Sequence, residues 1–238
     1  MLIVNPWIEV ENYNGKEIMQ RIERACRTCY RSEGSITDIS YKTLLKNCLN
    51  RGHESILEHE KITVRTRCDI GVYKDLTRHR HASFSIESTR YCNYGKDKFD
   101  NQIRFIKPVF YKDNWTDTNY KGEAFDKEEI KSKLWYDCME EIEDVYLRMT
   151  ELGATPDEMR MILPHSTAAE VTMTANIREW RHILSLRCSK MAHPAIRQIL
   201  IPLLLEFKKE MPELFDDIDY DIDFPVEKYA DLKVITNE

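Results

Sequence analysis

Between Arg78 and Tyr91 the chain reads Arg-His-Arg-His-Ala-Ser-Phe-Ser-Ile-Glu-Ser-Thr-Arg-Tyr, with three arginines, two histidines and four Ser or Thr hydroxyls in fourteen positions. So dense a set of cations has no place in a core, because each guanidinium would need a buried partner. One reading is a solvated loop. The other is an anion site, since guanidinium forks alternating with hydroxyls recognise phosphates and planar rings. The segment holds no Gly or Pro, which argues against a flexible linker. Further along, Arg178 and His182 fall four apart and therefore on one helical face, while Ile183 and Arg187 share a neighbouring face. Arg187 is thereby placed near a buried seam, where it serves either a structural salt bridge or chemistry.

Neither Gly-x-Gly-x-x-Gly nor Gly-x-x-x-x-Gly-Lys-Ser/Thr occurs, and the whole chain has seven glycines. A phosphate must then be met by side chains or helix N-termini rather than by a glycine-rich loop. Arg78, Arg80, Arg90, Arg160, Arg178 and Arg187 are the natural instruments. His53-Glu54 and Glu58-His59 invite a metal reading, but their spacing is neither His-Glu-x-x-His nor its inverse. If Ser55 begins a helix, the two histidines leave one face, and no metal site is assigned. A metal-dependent hydrolase on His53, Glu58, His59 and His79 stays as one alternative, and a non-catalytic nucleotide-binding module on the same arginines as another. Ser88 lacks the Gly-x-Ser-x-Gly surround of a nucleophile, so a hydroxyl donating to a phosphate or ring oxygen is the simpler role.

The chain has 238 residues, 42% of them hydrophobic and 32% charged, a balance that suits one soluble globular domain with a sizeable core. A net charge of −6 argues against binding a nucleic acid polymer, so a basic patch in this background points to a small anionic ligand. The longest apolar run, Ile199 to Leu205, is interrupted by Pro202 and is too short to span a membrane, and no signal peptide is visible. Seven cysteines without scaffold spacing read as reduced thiols in the cytoplasm, none in an activating setting.

The elements that must carry these residues follow from periodicity. Lys16 to Tyr30 is an amphipathic helix with Ile18, Ile22, Cys26 and Cys29 inward; a second helix through Leu44, Leu45, Cys48 and Leu49 is capped by Thr37-Asp38 and stopped by Gly52. Lys61 to Arg67 alternates as a strand, and Asp69 caps a short helix that delivers Arg78 at its end. Asn93 to Ala124 is a polar, aromatic-rich excursion with one strand at Ile103 to Phe110, a lid or an oligomer contact. Asp126 caps a long helix to Gly153, and Thr155-Pro156-Asp157-Glu158 opens another. Ser166 to Ala175 is a strand, and Asn176 to Met191 a helix with Trp180, Ile183, Leu184 and Met191 inward. Ala195 to Glu210 is a further helix that Pro202 should kink. The expected fold class is α+β: helices packed on a small, mostly antiparallel sheet, in a single domain over 1–238.

Arg78-His79-Arg80 followed at the right distance by Ser88, then Thr-Arg-Tyr, resembles the signature of the flavin-dependent thymidylate synthases. Gly52-His53-Glu54-Ser55 with Glu58-His59, and the stretch Asn176 to Arg187, extend that resemblance over roughly Arg51 to Ile199. The resemblance implies reductive methylation of dUMP to dTMP, with 5,10-methylenetetrahydrofolate as carbon donor, FAD as redox carrier and NADPH as reductant, in a homotetramer. It implies that His53, Ser55, Arg78, His79, Arg80, Asn176, Arg178 and His182 hold FAD. Asp75, Arg78, Glu87, Ser88, Thr89, Arg90, Arg160 and Arg187 would then bind dUMP, and Arg187 would favour the N3-ionised uracil. Asp75 replaces a glutamine common in that family, and Ser85-Ile86 replaces Asn-Glu, with the acid one residue later at Glu87.

Overall fold

The computed structural model describes residues 1–11, 13–111 and 127–235; the expected cap at Asp126 and positions 112–124 of the excursion lie outside them. In chain order the elements are β1 (Leu2–Val4), β2 (Trp7–Val10), α1 (Gly15–Thr28), α2 (Ser40–Asn50), β3 (Lys61–Asp69), α3 (Ile70–Leu76), β4 (Ala82–Ile86), β5 (Arg104–Ile106), α4 (Lys127–Glu151), α5 (Pro156–Met159), β6 (Ala168–Asn176), α6 (Ile177–Arg187), α7 (Pro194–Glu210), α8 (Pro212–Phe215) and β7 (Asp231–Val234). They form two compact units, neither contiguous in sequence: Met1–Asn5, Cys68–Tyr73 and Ile86–Ala169 in the first, the remainder in the second. The class is α+β, with a mostly antiparallel five-stranded sheet.

In the second unit that sheet has the order β4-β6-β3-β2-β7. β3 buries Ile62, Val64 and Thr66 on one face, as its alternation requires. β2 pairs antiparallel with β3, placing Ile8 opposite Thr66, and parallel with β7, placing Ile8 opposite Leu232. The segment 78–91, whose polarity suits a solvated loop, instead supplies edge strand β4, and His79 within it is only 5% exposed. α1 is capped by Asn14, whose Oδ1 accepts the Glu17 N–H, and buries Ile18, Ile22 and Cys26. Cys29, expected inward, is exposed at the helix end. For α2 the cap at Thr37-Asp38 is not made: Ser40 Oγ instead accepts the Thr37 N–H, and Gly52 takes φ +71° where the helix has stopped.

α7 runs unbroken through Pro202. The carbonyl that proline leaves without a helical donor belongs to Gln198, and the Ala230 N–H takes it at 2.9 Å, just before β7 begins. α6 buries Ile177, Trp180, Ile183 and Leu184, but ends at Arg187. Met191, read as its continuation, is 94% exposed because the helical period no longer applies there. At Gly15 a Cβ would come within 2.5 Å of the Glu210 carbonyl oxygen, so α1 and α7 meet closely enough to exclude any side chain. Gly15→Ala is expected to lower stability by about 1–3 kcal/mol, measurable by urea unfolding.

The first unit pairs β1 with β5 in parallel and packs Tyr94, Ile103, Phe105, Met139, Tyr146 and Met159 into its own core. The described part of the expected excursion is therefore core-forming: Ile103 and Phe105 are fully buried.

Candidate functional site

In the second unit α6 organises the site. Asn176 is its N-cap, with Oδ1 accepting the Glu179 N–H at 2.8 Å. One turn in, Arg178 and His182 share a face that lines a cavity of about 1150 Å³, slightly above the ~300–1,000 Å³ usual for small-molecule sites. Arg178 is half-exposed and pairs with Glu58 at 2.6 Å and Glu54 at 3.3 Å. Those two carboxylates lie on the 3-10 turn Glu54–His59, so the ion pairs fasten that turn to α6; Ser55 belongs to the same turn and His53 precedes it, but neither is among the residues lining the cavity. A smaller hollow of about 560 Å³ shares Glu58, His81 and Asn176 with the cavity and adds Arg80. Arg78 and Arg80 are both exposed.

His79, between them, turns into the protein. Its Nε2 accepts from Arg187 Nε at 3.1 Å, and Glu179 Oε1 lies 3.5 Å from its Nδ1. Its ring meets that of His182 edge-on, with centroids 5.7 Å apart. Burial first, then the Arg187 guanidinium and His182, push its pKa down to about 4, against a smaller upward pull from Asp75. The imidazole is therefore neutral near pH 7, as accepting a bond from an arginine requires. Arg187 also donates through Nη2 to the Asp75 carbonyl at 3.1 Å, and its Nη1 lies 3.8 Å from the Asp75 carboxylate. Asp75 thus acts on Arg187 through its backbone as well as its charge.

A depressed histidine pKa fixes the sign of its contribution to stability. Above 6.5, the ordinary value, both folded and unfolded chains hold the ring neutral. As pH falls from there toward about 4, only the unfolded chain takes up the proton, and stability drops. Unfolding free energy is expected to decrease more between pH 7 and 5 in the native protein than in His79→Gln.

The first unit holds the remaining residues. Arg90 is exposed and meets Asp157 at 2.8 Å through Nε, and Ser88 Oγ accepts the Arg90 N–H at 3.3 Å. Thr89 lies between them, half-buried. Glu87 bonds Arg104 at 3.1 Å and accepts from the Tyr94 hydroxyl, so its carboxylate orders the start of this loop. Arg160 is exposed in the turn after α5, a helix that opens at Thr155–Pro156 as the sequence suggests and is closed at that end by a Thr155–Glu158 capping box.

All seven cysteines are free thiols. Burial pushes Cys68 and Cys188 well up, and Cys26 up to about 11, the opposite of nucleophile activation. Glu54 and Glu58 turn to Arg178, and among the described residues no three His, Cys, Asp or Glu side chains gather as a metal site. Sequence reasoning missed Glu179, Asp157 and the Arg178 partners. Glu179 was signalled only as a first-turn acid three residues after Asn176.

Residues 10–213 match the family model described as "Thymidylate synthase complementing protein", and the chain belongs to that family. A flavin-dependent thymidylate synthase of Corynebacterium aurimucosum is 27% identical over 200 residues, 82% of this chain and 78% of the relative. That of Thermosipho africanus is 29% identical over 196 residues, 81% of this chain and 82% of the relative. A solved structure of a UMP/dUMP methylase, PolB from Streptomyces cacaoi, bound with 5-Br dUMP, has the same fold: TM-score 0.73 at 20% identity, covering 91% of this chain and 96% of that one.

Proposed function

We propose that this protein is a flavin-dependent thymidylate synthase: it converts dUMP to dTMP with 5,10-methylenetetrahydrofolate as carbon donor, FAD as redox carrier and NADPH as reductant. The observation that carries the proposal is α6, which lays Asn176, Arg178 and His182 along a cavity and ends in an Arg187 held by His79 and Asp75. The donors available to an anionic dinucleotide are the Arg178 and Arg80 guanidinium groups and the His182 ring, on a wall that also carries Glu54, Glu58 and the acidic stretch 217–223, offset by ion pairs from Arg178, Arg181 and Lys190. Asn176, Arg178 and His182 line the cofactor, His53 and Ser55 meet it from the adjoining turn, Arg78 and Arg80 flank it, and His79 supports that wall from within. Flavin, when bound, supplies the redox chemistry.

Toward the nucleotide, Ser88, Thr89, Arg90 and Arg160 meet the phosphate, while Glu87 orders their loop and Asp75 and Arg78 border the base. Arg187 sets a guanidinium against the uracil N3 and its neighbouring carbonyl, where it stabilises negative charge and leaves C5 electron-rich without a thiol adduct. The chain works as one folding domain in a cytoplasmic homotetramer whose sites draw on several subunits. No helix among the described residues is long and apolar enough to cross a membrane.

The purified protein is expected to be yellow or to turn yellow with added FAD, and to bleach under anaerobic NADPH and dUMP. A protein that neither takes up flavin nor bleaches contradicts the proposal. Arg90→Ala is expected to weaken dUMP binding by ~10–100-fold, through loss of a charge-assisted contact of about 1.5–3 kcal/mol, and to leave FAD affinity unchanged; calorimetric titration reads both.

A further inference from the structure

We infer that His79 is a positioning residue: with Glu179 behind it, its neutral ring aims the Arg187 guanidinium. The inference rests on Arg187 acting on the pyrimidine. Three observations carry it. His79 is 5% exposed, so its side chain sits behind the surface on which Arg78 and Arg80 are presented. Its Nε2 accepts the Arg187 Nε–H at 3.1 Å, which demands a lone pair on that nitrogen and puts the proton on Nδ1. The buried Glu179 carboxylate, 3.5 Å from Nδ1, favours that tautomer.

Glu179 is in turn placed by the cap of α6, since its N–H is held by Asn176 Oδ1. Arg187 closes the same helix, so one element carries both ends of the relay and His79 bridges them. The Asp75 carbonyl takes Nη2 at 3.1 Å. Acceptors at Nε and Nη2 fix the plane of the guanidinium, which a single bond would leave free to turn. The charged or titratable groups facing His79 are Arg187, Asp75, His182 and Glu179. Protonation of the ring would set two cations against each other and remove the acceptor, so the relay works only with His79 neutral.

The test compares His79→Phe and His79→Gln with the native enzyme, and follows the histidine imidazole nitrogens of the native protein by 15N NMR. His79→Phe keeps a flat ring but no acceptor. Its kcat is expected to fall at least ~100-fold, with the KM for dUMP and the Kd for FAD within about threefold. His79→Gln returns an acceptor oxygen near the Nε2 position; its kcat stays within about tenfold of native, and the acid limb of its kcat–pH profile flattens. The NMR spectrum is expected to show a histidine that is neutral and protonated on Nδ1 at pH 6.

A His79→Phe enzyme with native kcat overturns the inference. So does a loss confined to FAD affinity, or one equal in both variants, because either makes His79 a cofactor contact or a packing residue. If His79→Phe does not fold, the NMR tautomer and the His79→Gln profile decide, and a ring protonated on Nε2 refutes the relay. Absence of dTMP formation in the native protein would instead defeat the functional proposal, while the tautomer would still report on the relay.

Discussion

Arg187→Ala is expected to abolish dTMP formation, lowering single-turnover product formation by about 10³-fold while flavin binding and folding persist. The guanidinium is held on two sides, by His79 Nε2 and the Asp75 carbonyl, and its side chain remains 23% exposed. A cation fixed in this way pays no reorganisation cost when charge develops on the pyrimidine, and removing one such preorganised donor typically costs 10²–10³ in rate. Here the same group is proposed to polarise the base and to orient it, which puts the effect at the upper end. Of the two acceptors left behind, His79 Nε2 is buried and loses its donor, so a stability loss of about 1–3 kcal/mol accompanies the loss of activity. Lysine would not restore activity, since an ammonium cannot reproduce the planar fork. Turnover within tenfold of native would remove Arg187 from the chemistry.

Arg178→Ala is expected to yield a protein that loses FAD on purification, with affinity reduced by ~100-fold. Loss of one charge-assisted contact accounts for about 1.5–3 kcal/mol. The ion pairs add to this: Glu54 and Glu58, which meet Arg178 at 3.3 and 2.6 Å, would stand uncompensated on the wall of a cavity proposed to hold a diphosphate. Part of the native affinity is then electrostatic and exposed, so it should also weaken as ionic strength rises. Flavin fluorescence titration at two salt concentrations reads both effects. An unchanged Kd would move the cofactor away from α6.

What the sequence made legible was what local periodicity encodes. α1, α4, α6 and α7 each repeat apolar residues at helical spacing, and β3 and β6 alternate over nine residues, so these elements are found close to where they were expected. β2 and β7 are four residues each and lie more than two hundred positions apart, yet pair directly; no local pattern carries such a match. β4 was hidden by composition, because an edge strand with one wet face tolerates polar residues that would suit a loop. Cys29 and Met191 erred in the same way, each extending a helical face beyond the turn where the backbone leaves the helix.

Among the site residues, type and order were visible while partners were not. The cationic segment could not be core if charged, yet His79 is buried because a neutral imidazole with both nitrogens facing partners carries little penalty. Its link to Arg187 spans 108 positions, and the Glu58–Arg178 pair spans 120. Such pairs depend on topology rather than on spacing.

The central claim is tested most directly by product analysis. Purified protein is incubated anaerobically with dUMP, 5,10-methylenetetrahydrofolate and NADPH, with and without FAD, and the nucleotides are separated by chromatography. The account predicts dTMP in the complete mixture and none from flavin-stripped protein until FAD is restored. dTMP formed equally well by flavin-free protein, or none formed by FAD-loaded protein, would contradict it.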